Sequence, residues 1–350
     1  MALFLRKLQK APTNILVART DRIGDFILTL PVLEVLHKVG IKPSVLCRTM
    51  VTPLLEGNPF VDHIIKVDDP DSDPMTQIRE HGFDSLLVLV NDPIIRNLLP
   101  DLKHIPVRIG PLSKPSVFFS YTHPVLQKRS RSLMNEAEYN LELLEIFGIK
   151  PNDPPRPRLY FQEYEIQVFR SERSDILGDI QDEPLIVYHQ GMGGSALNWS
   201  EKNYQILLHS LLDAGYRVVL TGNGKEESER NNQLINLLKP GYTEHLFNLT
   251  NTLSLRQLGL LIHLSDLFIG PSTGPTHLAS AVGTEIISFY PPIQVQSPRR
   301  WGPYLSPSAL FTPDVPCGQK FKCIREKCPH FYCMDNISPE DVLKQVKEIL

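Results

Sequence analysis

Residues 267–290 read LFIGPSTGPTHLASAVGTEIISFY. Leu267–Gly270 and Glu285–Tyr290 are short apolar runs of strand length, and Pro275–Val282 between them reads as a helix. Its proline falls in the first turn, where a missing N–H costs nothing. Strand, helix and strand in that order predict a right-handed crossover between parallel strands. The same alternation extends upstream through strand Leu185–His189, helix Glu201–Ala214, strand Arg217–Thr221, helix Glu226–Leu238 and helix Leu255–Leu264. It fills the first half as well, with strands Ile15–Ala18, Ser44–Cys47, His63–Val67, Ser85–Val90 and Val107–Gly110. Helices Phe26–Val39 and Ser132–Phe147 complete that half, the latter stopped by Gly148. The class is α/β, in two doubly wound domains.

The 350 residues exceed what one core usually holds. Lys150–Leu159 carries four prolines and no periodicity, and so reads as a stiff linker. The expected division is a tail over 1–12, a domain over 13–150, a connecting segment over 151–183, a second domain over 184–335 and a terminal helix over 336–350. Ser338, Pro339, Glu340 and Asp341 supply that helix with its cap and first turn. With 42% apolar and 21% charged residues the composition is globular, which excludes disordered, collagen-like and coiled-coil chains. A net charge of −3 gives no basic field for nucleic acid. No apolar run reaches the roughly 18–20 residues of a membrane span. The start lacks a secretory signal, so a cytoplasmic location is expected.

Ligands of such sheets bind beyond the carboxyl ends of the strands, and two such domains face one another across a cleft. After Ile15–Ala18 comes Arg19-Thr20-Asp21-Arg22-Ile23-Gly24-Asp25. Asp25 at a helix start reads either as a dipole-favoured cap or as a general base aimed at a hydroxyl. In the second reading Gly24 lets a substrate approach the backbone, and Arg19 and Arg22 hold an anionic partner. After Leu185–His189, Gly191, Met192 and Ser195 lie in a loop with the dinucleotide-type spacing G-x-G-x-x-A. The best helix cap there is Ser200, several residues late, so the loop reads as backbone approaching a phosphate or sugar. Gly222 to Glu227 offers carboxylates to sugar hydroxyls, or simply acidic residues to a first helical turn. Ser272, Thr273, Gly274, Pro275 and His277 form the sharpest pattern. Free amides and a helix dipole make an anion site there, suited to a diphosphate. His277 reads as a phosphate contact or as a packed core residue.

These motifs together resemble glycosyltransferase family 9, the lipopolysaccharide heptosyltransferases. The resemblance runs from Arg22-Ile23-Gly24-Asp25 to Pro31, the glycine loop before Trp199 and Gly222-x-Gly224-x-Glu226. It continues through Leu253-Ser254-Leu255 and Ser272-Thr273-Gly274-Pro275-x-His277-Leu278-Ala279-x-Ala281-x-Gly283. It implies a GT-B fold of two Rossmann-like domains, a nucleotide-sugar donor such as ADP-heptose, and inverting transfer without a metal to a lipid-linked saccharide acceptor. Asp25 would take the acceptor proton, the helix start at Gly274–His277 would receive the departing diphosphate, Glu226 would sit near the ribose and Leu253 beside the base. Two positions depart from the pattern. Leu197-Asn198 stand where many members place Lys or Arg before the Trp, and Ser272 stands where many have Asp.

Cys317, Cys323, Cys328 and Cys333 cluster with spacings x5, x4 and x4, with His330 among them. The paired C-x2-C framework of a zinc knuckle is missing, so a structural zinc is an alternative to free thiols. Lys320, Lys322, Arg325 and Lys327 around them read as solvated surface or as a contact for an anionic acceptor. Pro291–Pro316 reads as a long loop over the cleft. Met1–Lys10 is basic and amphipathic, which suits peripheral attachment to an anionic inner-membrane surface. The competing functional classes are a nucleotide-sugar epimerase, a nicotinamide dehydrogenase resting on the glycine loop, and a non-catalytic sugar-nucleotide binder.

Overall fold

Ile15–Ala18 is a continuous buried apolar run with no polar alternation, the signature of a strand covered on both faces. It lies at the centre of a sheet whose construction recurs in the second half. The computed structural model describes residues 3–4, 8, 11–112, 115–177, 183–194, 196–238 and 241–350. The chain divides into two compact units, Met1–Tyr160 and Phe161–Leu350. The boundary falls inside the segment 151–183 read as a connection. Its later part forms helices Glu163–Glu172 and Ser174–Leu177 of the second unit.

The first unit has strands β1 (Leu3–Phe4), β2 (Ile15–Ala18), β3 (Ser44–Cys47), β4 (Ile64–Lys66), β5 (Ser85–Val88), β6 (Val107–Pro111) and β7 (His123–Leu126). Their spatial order is β1-β7-β6-β5-β2-β3-β4, parallel throughout except for β1 against β7. The second unit has β8 (Leu185–His189), β9 (Arg217–Thr221), β10 (Leu246–Asn248), β11 (Leu267–Pro271), β12 (Glu285–Phe289) and β13 (Ser308–Phe311). Their order is β10-β9-β8-β11-β12-β13, all parallel. In each unit the first parallel strand lies between the second and the fourth, so the winding reverses between β2 and β5 and again between β8 and β11. That is the doubly wound order, and the crevice at its reversal is where such sheets bind ligands.

Three local expectations change. The helix read over Phe26–Val39 is two helices, Ile23–Ile27 and Leu30–Lys38. Pro31 has no N–H to give the Ile27 carbonyl, and its ring would clash there, so the chain breaks at Leu28 and Thr29. The helix read from Ser132 begins at Glu136, where Asn135 and Glu138 form a reciprocal capping box. The stretch Pro291–Pro316 is not one long loop. It holds the short helix Pro298–Trp301 and β13, which closes the sheet edge beside β12.

The last helix, Pro339–Ile349, is part of the second unit. Val342 and Val346 are fully buried in the same core as Leu207, Leu211 and Trp199. The Trp199 indole N–H donates to the Ile337 carbonyl at 3.0 Å, which ties the glycine loop to the segment leading into that helix. No helix among the described residues is long and apolar enough to cross a membrane.

Candidate active site

At the first reversal, β2 ends on Arg19, whose side chain is only 1% exposed. Burying a guanidinium demands partners for all five of its N–H groups, and the fold supplies five acceptors. Nε and Nη2 grip Asp21 at 2.6 and 2.9 Å, and Nη2 also reaches Asp25 Oδ1 at 2.9 Å. Nη1 reaches Asn140 Oδ1 at 3.3 Å and Glu136 Oε1 at 3.5 Å. Arg129 shares the buried Glu136 carboxylate at 2.5 Å. The Asn140 amide donates to the Leu28 carbonyl at 3.1 Å, so the helix Glu136–Glu142 holds the break after the Asp25 helix in place. Across the reversal, Thr20 donates to Asp92 at 2.8 Å.

Asp25 therefore lies in the first turn of Ile23–Ile27 rather than capping it, with one oxygen on the Arg19 fork. Burial, and next the charge of Asp21, lift its carboxyl to about 7, against the pull of Arg19. A carboxyl poised there exchanges its proton near neutral pH, the property a general base needs. Arg19 itself is saturated and buried, so it orients Asp25 and has no N–H left for an acceptor, contrary to the expectation from sequence. Arg22 is exposed at the N-cap of that helix and has no ion pair among the described residues. Gly24 is buried, its carbonyl taking the Leu28 N–H at 3.2 Å.

At the second reversal the ends of the paired strands β8 and β11 lie close: a Cβ on Gly270 would stand 2.9 Å from the His189 carbonyl oxygen. Thr273 precedes the helix Gly274–Val282 and makes no side-chain cap, while Thr276 donates back to Pro271 at 2.5 Å. The first amides of this helix thus lack a capping acceptor, which leaves a partial positive charge at its start. His277 is 4% exposed, and its Nδ1 has no partner among the described residues. Burial lowers its pKa to about 4, so it is neutral at pH 7. The backbone N–H of Ser272 donates to the Phe289 carbonyl at 3.2 Å.

The glycine loop opens no helix; the next one starts at Glu201 behind the Ser200 cap. That removes the dinucleotide reading and the dehydrogenase with it. Met192 is buried and Gly193 and Gly194 take left-handed φ values of 42° and 72°. Ser195 lies outside the described residues. Asn198 is a structural clasp. Its amide donates to the Gln190 carbonyl at 2.8 Å, and its oxygen accepts from the Trp199 N–H and the Tyr204 hydroxyl at 2.8 and 2.9 Å.

Glu226 is 79% exposed and pairs with Arg230 at 2.7 Å. Its neighbour Glu227 turns inward. It accepts the Asn223 N–H at 2.8 Å, and a Cβ on Gly191 would come within 2.0 Å of its Oε1. The same carboxylate lies over Gly222, so these two glycines exist to admit Glu227. Leu253 is half-buried just before the helix Leu255–His263, which Ser254 and Gln257 cap reciprocally.

Glu136 and Asn140 are the site-shaping residues that sequence reasoning missed, and Glu227 was read there only as one of the carboxylates of its loop. Glu136 is 117 positions from Arg19, beyond any local pattern. Glu227 had a signal in the paired glycines at 191 and 222. The thiols of Cys317, Cys323, Cys328 and Cys333 are all free and line one small cavity with His330. No three His, Cys, Asp or Glu groups among the described residues converge at metal-binding distance.

Two doubly wound units on largely parallel sheets, each with a candidate polar site at its reversal, have the construction of the GT-B fold. The family model of glycosyltransferase family 9 (heptosyltransferase) matches residues 76–328. A Haemophilus influenzae protein whose name gives it as a glycosyltransferase is 34% identical over 307 residues, spanning 83% of this chain and 86% of its own. The chain belongs to glycosyltransferase family 9. Among solved structures, a family 9 glycosyltransferase of Veillonella parvula superposes with a TM-score of 0.83 at 21% identity, over 98% of this chain and 99% of that one. The Escherichia coli ADP-heptose lipopolysaccharide heptosyltransferase II gives 0.77 at 22% identity, over 96% and 98%.

Proposed function

We propose that the protein is an inverting heptosyltransferase that moves a heptose from ADP-heptose to a saccharide acceptor of the lipopolysaccharide core type. The observation that carries this reading is Asp25, a carboxyl lifted to about 7 and fixed on the Arg19 fork at a sheet reversal. In the proposed step Asp25 takes the proton of the acceptor hydroxyl as its oxygen attacks the anomeric carbon. The bond from that carbon to the donor phosphate breaks, and its electron pair leaves on the diphosphate. The uncapped amides of Gly274 and Thr276 at the helix start receive the departing charge, preorganised as an oxyanion site requires. Thr273 and Ser272 lie beside that helix start, and the neutral His277 contributes a hydrogen bond rather than a charge. Gly191, Met192, Ser195, Gly222, Glu226 and Leu253 take the nucleoside and sugar, and Arg22 and Gly24 meet the acceptor.

A lipid-linked acceptor places the reaction at an inner-membrane surface, which the basic amphipathic residues 1–10 would approach. The test is incubation of the purified chain with ADP-heptose, and separately with UDP-glucose, in the presence of a delipidated core saccharide. A product heavier by one heptose and formed from ADP-heptose alone is expected. Transfer from UDP-glucose only would overturn the donor, and isomerisation of the nucleotide sugar without acceptor would favour an epimerase.

A further inference from the structure

The stretch between β13 and the last helix is built inside out. Its only regular pieces are the 3-10 turns Arg325–Lys327 and Cys333–Asn336. Its large apolar side chains point to solvent: Tyr332 is 75% exposed, Phe321 60% and Ile324 40%. Val315, Met334 and Ile337, at its two ends, join the core of the unit; between them the side chains turned inward are thiols. Cys317, Cys323, Cys328 and Cys333 line one cavity with His330 and Gln319, walled otherwise by Leu197, Pro292, Ile293 and Val315. An irregular segment that buries so little apolar surface needs a cross-link to hold one conformation. Disulfides do not supply it, since every thiol is free.

We infer that these four cysteines bind one thiolate-preferring divalent metal ion, with zinc the best fit. Binding releases four thiol protons as four metal–sulfur bonds form, and leaves a centre of charge 2−. Two features suit that charge. The Arg325 N–H donates to Cys323 Sγ at 3.2 Å and the His330 N–H to Cys328 Sγ at 3.4 Å, each from two residues further on. Such amide donors orient and stabilise ligating thiolates. Lys320, Lys322, Arg325 and Lys327 are exposed around the cluster with only Glu326 among them, and none has an ion pair among the described residues. No three of these groups stand at metal-binding distance as they are placed, so binding requires the thiols to turn in from the cavity wall to the roughly 2.3 Å of zinc–sulfur bonds. Spacings of x5, x4 and x4 give three loops of similar length, enough for each ligand to swing independently.

The test uses the full chain, purified under reducing conditions, stripped with a chelator and titrated with Co2+ and then Zn2+. We expect one Co2+ per chain, with sulfur-to-cobalt charge transfer and tetrahedral d–d bands that Zn2+ displaces. Bound Zn2+ should slow modification of four of the five thiols by about tenfold or more, and chelation should restore them. Cys323→Ser and Cys328→Ser, both at half-exposed positions that fold without a thiol, should abolish the tetrathiolate spectrum, whereas Cys47→Ser should leave it unchanged. Absent cobalt bands, protection of fewer than three thiols, or a mass deficit showing disulfides in the purified chain would each overturn the inference.

Discussion

The two sheet reversals solve opposite electrostatic problems. In the first unit charges are buried and every one is matched: Arg19 spends all five N–H groups on Asp21, Asp25, Glu136 and Asn140. In the second the start of Gly274–Val282 carries no charged side chain, and its buried histidine is neutral with one nitrogen unsatisfied. The first site already satisfies its own charges, whereas under the proposed function an anionic ligand would complete the second. A base must be held before its substrate arrives, whereas an anion site does best as uncharged dipoles that need not be desolvated as ions.

The largest effects should fall on the finished site. Asp25→Ala is expected to lower kcat by about 10²–10⁴ with donor affinity nearly kept. Turnover that survives intact would remove Asp25 from the chemistry. In the native enzyme kcat/KM should climb with pH and level off above about 7, because only the ionised Asp25 accepts a proton. Arg19→Met strands the carboxylates of Asp21 and Asp25, leaves the buried Glu136 to Arg129 alone, and should destabilise the fold by about 3–5 kcal/mol in urea unfolding. Arg19→Lys keeps a charge but loses the fork. Since Arg19 holds the Asp25 carboxyl down, this variant should fold and carry the rising limb to higher pH. A variant that lost activity with its pH profile unmoved would give Arg19 a purely structural role.

The anion site should respond more mildly. His277→Ala is expected to weaken ADP about 10–150-fold while AMP binding barely changes, the loss of one hydrogen bond to a charged group. Equal losses for both nucleotides would mean that His277 only packs. Its lowered pKa has a stability consequence with a definite sign. The unfolded chain takes up this proton below about 6.5, whereas the folded chain resists it until about 4, so the stability tied to neutral His277 is present above 6.5 and lost between the two values. His277→Gln should flatten that acid limb, and bound ADP should raise the His277 pKa in a titration followed by NMR.

The contrast also explains what could be read ahead of the structure. The proposed anion site is local: its strand, Gly-Pro and helix lie within Leu267–Val282, so spacing alone lays out its elements. The central strands were equally legible because burial on both faces leaves continuous apolar runs, as in Ile15–Ala18. The surroundings of the proposed base were half legible. Asp25 sits in a recognisable loop, but its partners Glu136 and Asn140 arrive from a helix 117 and 121 positions away from Arg19. The role of Arg19 therefore looked like ligand binding when it is internal pairing. Edge strands escaped for a different reason: β10 and β13 are short, half-exposed and carry little apolar signal.

The smallest effects should separate Glu226 from Glu227, adjacent residues in the second unit with opposite surroundings. Glu226→Ala removes a solvent-exposed pair with Arg230 and should leave the melting temperature within error. If its carboxylate takes a ribose hydroxyl, the donor KM should still rise by about threefold, roughly one weak hydrogen bond. Glu227→Ala frees the Asn223 N–H and uncovers Gly191 and Gly222, so it should lower stability and loosen the glycine loop together. The pairing with Gly191→Ala sharpens this, because the added Cβ evicts Glu227 without removing its charge. If both of those variants raise the donor KM and Glu226→Ala does not, the carboxylate that meets the donor is the inward one. The exposed glutamate would then belong, with Arg230, to the solvated helix face alone.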